Sequence, residues 1–219
     1  REAGVVTASA GNHAQGVALA AARSGVDATI VMPKYAPVSK VEATERYGGR
    51  AVLHGADYDE AQAEAREIER EEGRTYVHAF DNDAVMAGQG TIGLEIVDEC
   101  PEVDTVVVPV GGGGLIAGVA TAVTALTDAR VIGVQAEGAA SLPESLRSGR
   151  IVERDSVNTI ADGIATRKVG ERPFAVIRER VDEVVTVSDS EIAVALTYLL
   201  ERSKTLVEGA AAAPLAPLP

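Results

Sequence analysis

Two segments of this chain carry residue types suited to binding an anion. The first, Ser9-Ala10-Gly11-Asn12-His13-Ala14-Gln15-Gly16, follows an apolar run from Gly4 to Ala8 and leads into a helix-like stretch, Ala14 to Arg23. At such a helix start, unpaired backbone N–H groups and the positive end of the helix dipole favour a carboxylate or a phosphate. Gly11 lets the main chain approach a ligand closely, Asn12 offers a donor and an acceptor, and Ser9 adds a hydroxyl. A plain N-cap role for Ser9 or Asn12 is the simpler alternative. The second segment, Val110-Gly111-Gly112-Gly113-Gly114-Leu115, again joins an apolar strand to a helix. Its four glycines remove every Cβ from the turn, so that consecutive N–H groups can converge on one phosphate. A flexible turn without a ligand would carry the entropy cost of glycine with no visible packing return.

A dinucleotide is the rival ligand. Gly112-Gly113-Gly114-Leu115-Ile116-Ala117 satisfies G-x-G-x-x-G/A, and Glu137 closes the next strand at a distance suited to a ribose hydroxyl, as an NAD-dependent oxidoreductase would need. That ligand leaves the first loop without a role. Two anion-binding helix starts fit a ligand with a phosphate at one end and a carboxylate at the other, such as an amino acid joined to pyridoxal phosphate. A third possibility is a protein that binds phosphates or amino acids without turning them over.

The elements that must hold these loops alternate between strand and helix periods. Strand-like runs at Gly4–Ala8, Ala28–Met32 and Arg50–His54 alternate with helical patterns at Ala14–Arg23, Ser39–Tyr47 and Tyr58–Glu72. Gly25 is placed to end the first helix, and Ser39 with Glu42 fits a capping box for the second. Further along come a helix at Val85–Glu99, a strand at Thr105–Val110, a helix at Leu115–Leu126 and a strand at Val131–Ala136. The β-branched run Thr105-Val106-Val107-Val108 is the pattern of a parallel strand covered on both faces. A polar stretch runs to about Arg154, followed by the segment Thr159–Gly163, a strand at Glu183–Val187 and a helix from Asp189 to Leu206 capped by Ser188 or Asp189. The tail, Ala210–Pro219, shows no terminal element. Repeated strand-helix units predict an α/β fold of doubly wound parallel sheets.

Composition narrows the function. The 219 residues suffice for one large domain or two small ones, and 46% hydrophobic with 24% charged residues excludes a disordered chain. Lysine and arginine number 20 against 33 acidic residues, so the net charge of −13 gives no electrostatic footprint for nucleic acid or an anionic membrane. That acidity fits a salt-adapted surface. No apolar run is long enough to span a membrane and no signal pattern is visible at Arg1. Cys100 has no intramolecular partner, and His13, His54 and His78 are scattered, so no structural metal is expected.

SAGNHAQG, VMPKYAPVSKV, PVGGGGLIAG, TIADGIA and KTLVEGAAAAPLA follow one another in the order seen in the threonine and serine dehydratases, which this sequence resembles over essentially its whole length. The resemblance is nearest to threonine dehydratase. It implies the type II fold of pyridoxal-phosphate enzymes, like the tryptophan synthase β chain, with two α/β domains and the cofactor cleft between them. Residues 1–78 would be the remainder of a small substrate-binding domain and residues 79–219 part of a large cofactor-binding domain. Pyridoxal 5'-phosphate would be held by Asn12 at its phenolic oxygen, by Gly111, Gly112, Gly113, Gly114 and Leu115 at its phosphate, and by Gly163 and Glu208 beside the ring. Ser9, Ala10, Gly11, Asn12 and His13 would take the substrate carboxylate.

The implied reaction is β-elimination of L-threonine to 2-oxobutanoate and ammonia, with L-serine to pyruvate as a second reaction, in a cytoplasmic homo-oligomer serving isoleucine biosynthesis. Racemases of the family carry a serine at the position of Ala10; alanine has no proton to give, which favours elimination. The family's cofactor-anchoring lysine belongs upstream of the SAGNH loop. None of Lys34, Lys40, Lys168 or Lys204 has that context, and the family's downstream S-G-G-N segment is also missing, so the sequence is expected to be truncated at both ends, with no catalytic residue and no activity of its own. Glu137 matches one carboxylate of a cation site found in some relatives, but Pro143 stands where the second belongs. Ala211 replaces a glycine of the E-G-A-G motif near Glu208.

Overall fold

The computed structural model describes residues 3–56 and 58–218. It divides into two compact units, Arg1–Ala79 and Phe80–Pro219.

In the first unit the chain runs β1 (Val5–Ala8), α1 (Asn12–Arg23), β2 (Ala28–Met32), α2 (Val38–Arg46), β3 (Arg50–Leu53), α3 (Tyr58–Glu72) and β4 (Thr75–Tyr76). All pairings are parallel, in the order β3-β2-β1-β4. Strand alternation sends Val6, Ala8 and Val31 to one face, against Ala61, Ala65 and Ile68 of α3. Ala28, Ile30 and Met32 point to the other, against Ala14, Ala18 and Ala21 of α1. Helices therefore cover both faces. The strand order reverses at β1, and the loop after β1 leaves its carboxyl end at that reversal, where open parallel sheets place ligands.

The capping box expected from Ser39 and Glu42 does not form. Pro37 holds φ −55 and ψ 132 and is itself the N-cap, so α2 starts at Val38, one residue ahead of Ser39. The Pro37 carbonyl accepts from Lys40 N and Val41 N at 2.9 and 3.2 Å, and no side chain caps the helix. Gly25 sits at φ +62, directly beyond the end of α1.

The second unit contains α4 (Asp83–Glu99), β5 (Thr105–Pro109), α5 (Gly114–Leu126), β6 (Arg130–Ala136), α6 (Leu142–Ser148), α7 (Glu171–Arg180), β7 (Glu183–Val187), α8 (Asp189–Tyr198) and α9 (Gly209–Ala212). Its parallel sheet has the order β5-β6-β7. Val106, Val108, Val110 and Val131 pack with Ile116, Val119 and Val123 of α5 and with Phe174 and Ile177 of α7. On the opposite face, Val107, Val134, Ala136 and Val187 meet Ile192 and Ala195 of α8 and the alanines of the tail. Helices α4 and α5 approach closely enough that a Cβ on Gly118 would lie 2.2 Å from the Met86 carbonyl oxygen.

Three expectations change here. The polar stretch contains α6, and the residues before β7 contain α7. The helix from Asp189 ends at Tyr198 and relaxes into a π-turn, Leu199–Ser203, closed by Lys204 in the left-handed region at φ 56. The tail does carry terminal elements: α9 and a 3-10 turn, Ala213–Leu215, bury Ala210, Ala212 and Ala213. Ser188 caps α8 in a complete capping box with Glu191.

Candidate functional site

The SAGNH loop links the carboxyl end of β1 to α1. Gly11 is the N-cap, at φ −123 and ψ −148, and no side chain caps this helix. Ser9 Oγ accepts from Gly11 N at 3.1 Å, which ties the loop to itself, and the exposed Asn12 leaves its amide pointing at no protein partner among the described residues. A capping role for either side chain is thereby excluded. The first-turn N–H groups of α1 remain available to an anion.

His13 is engaged. Its Nε2 lies 3.0 Å from Thr7 Oγ1 and 3.2 Å from the Val77 carbonyl oxygen, while the Thr7 hydroxyl donates to that same carbonyl at 2.7 Å. Burial holds the imidazole below its usual pKa of 6.5, opposed in part by the bond to Val77.

The glycine loop leaves the carboxyl end of β5. Gly113 is the N-cap of α5 at φ 91, a conformation that strains any residue with a Cβ, and no side chain caps this helix. Among the described residues the N–H groups of Gly111, Gly112 and Gly113 meet no protein acceptor. With the first-turn donors of α5 they form a row of unsatisfied N–H groups, the donor set a phosphate requires. The glycines also have the packing return that the sequence did not reveal. A Cβ on Gly111 would come within 3.0 Å of Ile164 Cα, one on Gly112 within 2.3 Å of the Phe80 ring, one on Gly113 within 2.9 Å of Pro173 Cβ, and one on Gly114 within 2.9 Å of Phe80 Cα.

Ile164 connects this loop to the other predicted residues of the second unit. It ends a 3-10 turn, Asp162–Ile164, and a Cβ on the neighbouring Gly163 would lie 2.9 Å from Ala210 Cβ and 3.3 Å from Glu208 Oε1. Gly111, Gly163 and Glu208 thus belong to one contiguous neighbourhood. Glu208 is the N-cap of α9, and Ala211 N and Ala212 N donate to its carbonyl, so alanine at position 211 is accommodated in a regular turn.

Sequence reasoning missed the segment that braces the loop. Both carboxylate oxygens of Asp81 accept from the start of α7, from Glu171 N at 3.1 Å and Arg172 N at 3.0 Å, while Gly170 N donates to the Gly112 carbonyl at 3.0 Å. The next residue, Asn82, caps α4 through Ala84 N and Val85 N. Only the second of these caps has a local signal, an Asn ahead of a helical pattern. Buried Gln135 adds a further brace, donating to the Val110 carbonyl at 3.3 Å and accepting from Leu142 N at 2.9 Å. Thr166 Oγ1, just beyond Ile164, is buried without a partner among the described residues.

Other candidates lie apart from these contacts. Glu137 is exposed at the end of β6, and Pro143 occupies the first turn of α6. Lys168 pairs with Glu153 at 2.7 Å, Lys34 and Lys204 are exposed, and Lys40 lies on α2. Among the described residues no group of three potential metal ligands occurs, and no helix is long and apolar enough to cross a membrane.

A family model described as pyridoxal-phosphate dependent enzyme matches residues 1–218. The L-threonine ammonia-lyase of Geobacter sulfurreducens is 53% identical over 216 residues, which cover 98% of this chain and 54% of that protein. The processed form of threonine deaminase isoform 2 from Solanum lycopersicum superposes with a TM-score of 0.94 at 44% identity, over 98% of this chain and 59% of that one. Maize serine racemase superposes with a TM-score of 0.94 at 39% identity, over 98% and 65%. The chain spans about half the length of the curated relatives it matches. A dinucleotide is displaced by this match, and the chain belongs to the pyridoxal-phosphate-dependent enzymes.

Proposed function

We propose that these residues are part of an L-threonine ammonia-lyase that eliminates water from L-threonine and, after hydrolysis, yields 2-oxobutanoate and ammonia, with L-serine as a second substrate giving pyruvate and ammonia. The observation that carries this reading is the pair of uncapped helix starts, α1 at Asn12 and α5 at Gly114, each at the carboxyl end of a parallel strand. Identity of 53% to an L-threonine ammonia-lyase supports the choice of substrate.

The second unit fits pyridoxal phosphate. The N–H groups of Gly111 to Leu115 would hold its phosphate, and Gly163 and Glu208, neighbours of that loop through Ile164, would line the rest of its site. When bound, the cofactor supplies the electron sink that makes the Cα proton removable. The protein contributes binding and orientation. In the first unit, the start of α1 and the Ser9–His13 loop, Asn12 included, would take an amino-acid carboxylate. The Ala10 methyl has no proton to return to Cα, so the chain departs from serine racemases in the outcome it supports. The surroundings of the four lysines, with Lys168 held by Glu153, support a cofactor-anchoring lysine outside these residues.

The test uses the complete protein with pyridoxal phosphate and L-threonine. Equal amounts of ammonia and 2-oxobutanoate are expected. Recovery of unreacted threonine, or of its Cα epimer without ammonia, would overturn the proposal. For the 219-residue chain alone, treatment with the cofactor and borohydride should fix no stoichiometric cofactor at a single lysine.

A further inference from the structure

We infer that His13 is a positioning residue: its imidazole clamps the start of α1 to β1 and to the carbonyl of Val77 beyond β4, and the substrate carboxylate is left to the backbone N–H groups of the loop. The inference rests on the carboxylate-binding role proposed above for the Ser9–His13 loop.

Proton bookkeeping carries it. The Thr7 hydroxyl has one proton and gives it to the Val77 carbonyl at 2.7 Å, which leaves Oγ1 an acceptor toward His13. Val77 O can only accept. Both partners of His13 Nε2, at 3.0 and 3.2 Å, therefore require a proton on that nitrogen. Burial keeps the ring neutral. A neutral imidazole protonated at Nε2 presents a lone pair at Nδ1, and a lone pair repels a carboxylate rather than binding it.

The same contacts explain why a histidine stands here. Thr7 is fully buried in β1, and Val77 continues the β1–β4 pairing by donating from its N–H to Val6 O at 2.9 Å. One ring nitrogen thus fastens the second residue of α1 to the two strands flanking the reversal in strand order. Without that bond Thr7 and Val77 still satisfy each other, so the sheet persists and the loop is what loosens.

Four variants of the complete enzyme test this: His13→Leu, His13→Gln, Thr7→Val, and His13→Leu combined with Thr7→Val. If the clamp acts by ordering the loop, His13→Leu raises KM for L-threonine about tenfold with kcat and cofactor occupancy retained. His13→Gln, which keeps a donor at similar reach, restores KM to within about threefold of wild type. Thr7→Val, at a buried position of β1, removes one of the two acceptors of His13 and leaves the Val77 carbonyl, so it raises KM by part of the His13→Leu effect, and the double variant is no worse than His13→Leu alone. A normal KM in Thr7→Val beside a raised KM in His13→Leu would mean that His13 touches the substrate itself, and would overturn the inference. So would additive effects of the two substitutions. Hydrogen exchange at Gly11–Ala14 gives a readout independent of turnover: faster exchange in His13→Leu is expected, and unchanged exchange overturns the clamp. Absence of threonine turnover in the wild-type enzyme would instead refute the proposed reaction, and the exchange measurement would still decide the clamp.

Discussion

Gly112 lies face to face with the ring of Phe80: a Cβ added to the glycine would sit 2.3 Å from Phe80 Cγ. The backbone at Gly112 is not in the left-handed region, and the three atoms nearest an added Cβ all belong to this ring. Gly112→Ala should cost about 1–3 kcal/mol through overpacking. Combining it with Phe80→Ala should recover part of that loss, giving a coupling of about 0.5–3 kcal/mol in urea unfolding. Strict additivity would show that the glycine is needed for another reason.

Asp81 should behave as a long-range helix cap. Asp81→Ala removes the acceptor for Glu171 N and Arg172 N, and is expected to destabilise by about 0.5–2 kcal/mol, as a lost N-cap does. Because Gly170 N also donates to Gly112 O, amide exchange at Gly170–Arg172 should rise and exchange in the glycine loop should rise with it. A stability change with unaltered exchange at α7 would refute the assignment.

The buried neutral His13 makes stability depend on pH in a defined direction. The unfolded chain takes up its proton near pH 6.5, whereas the folded chain does so only at lower pH because burial depresses the imidazole pKa. Between those values the unfolded state holds more protons. Stability therefore rises with pH across that window and is lost as pH falls below about 6.5. His13→Gln should abolish this part of the slope in urea melts at pH 5 to 7.5, approximately. An unchanged slope would place the titration elsewhere.

Lys204 is the one non-glycine with positive φ among the described residues, at 56°, where it closes the π-turn after α8. A left-handed conformation costs a residue with a Cβ about 1–2 kcal/mol, and glycine escapes that cost. Lys204→Gly should raise the unfolding free energy by up to about 1 kcal/mol once glycine's extra chain entropy is subtracted. A loss of stability would show that the lysine side chain contributes more than its backbone costs.

Legibility in the sequence followed the range of the interactions. Thr105–Val108 announces a doubly covered strand, and the SAGNH and four-glycine loops announce the helix starts that follow them, because strand alternation, glycine and helix starts are local properties. The helix α7 escaped notice since its start is capped by Asp81, a partner 90 residues away. The two-residue β4 is too short to show any period, yet Val77, the residue directly after it, supplies the carbonyl that His13 and Thr7 share. Ser39 and Glu42 had the spacing of a capping box, but Pro37 began the helix first. In the glycine loop, the reasons for Gly111 to Gly114 lie in Ile164, Phe80 and Pro173, side chains and backbone brought there by folding. The proximity of Gly163 to Glu208 likewise joins residues far apart in sequence.

Consecutive N–H groups from Gly111 to Leu115 are proposed to take the phosphate of pyridoxal phosphate. Amide chemical shifts followed while the isotopically labelled chain is titrated with pyridoxal 5'-phosphate, and separately with pyridoxal, test it directly. The largest changes are expected at Gly111–Leu115 with the phosphorylated compound, with little movement there on adding pyridoxal. Glycine-loop amides that stay still while others shift, or that respond equally to both compounds, would contradict it.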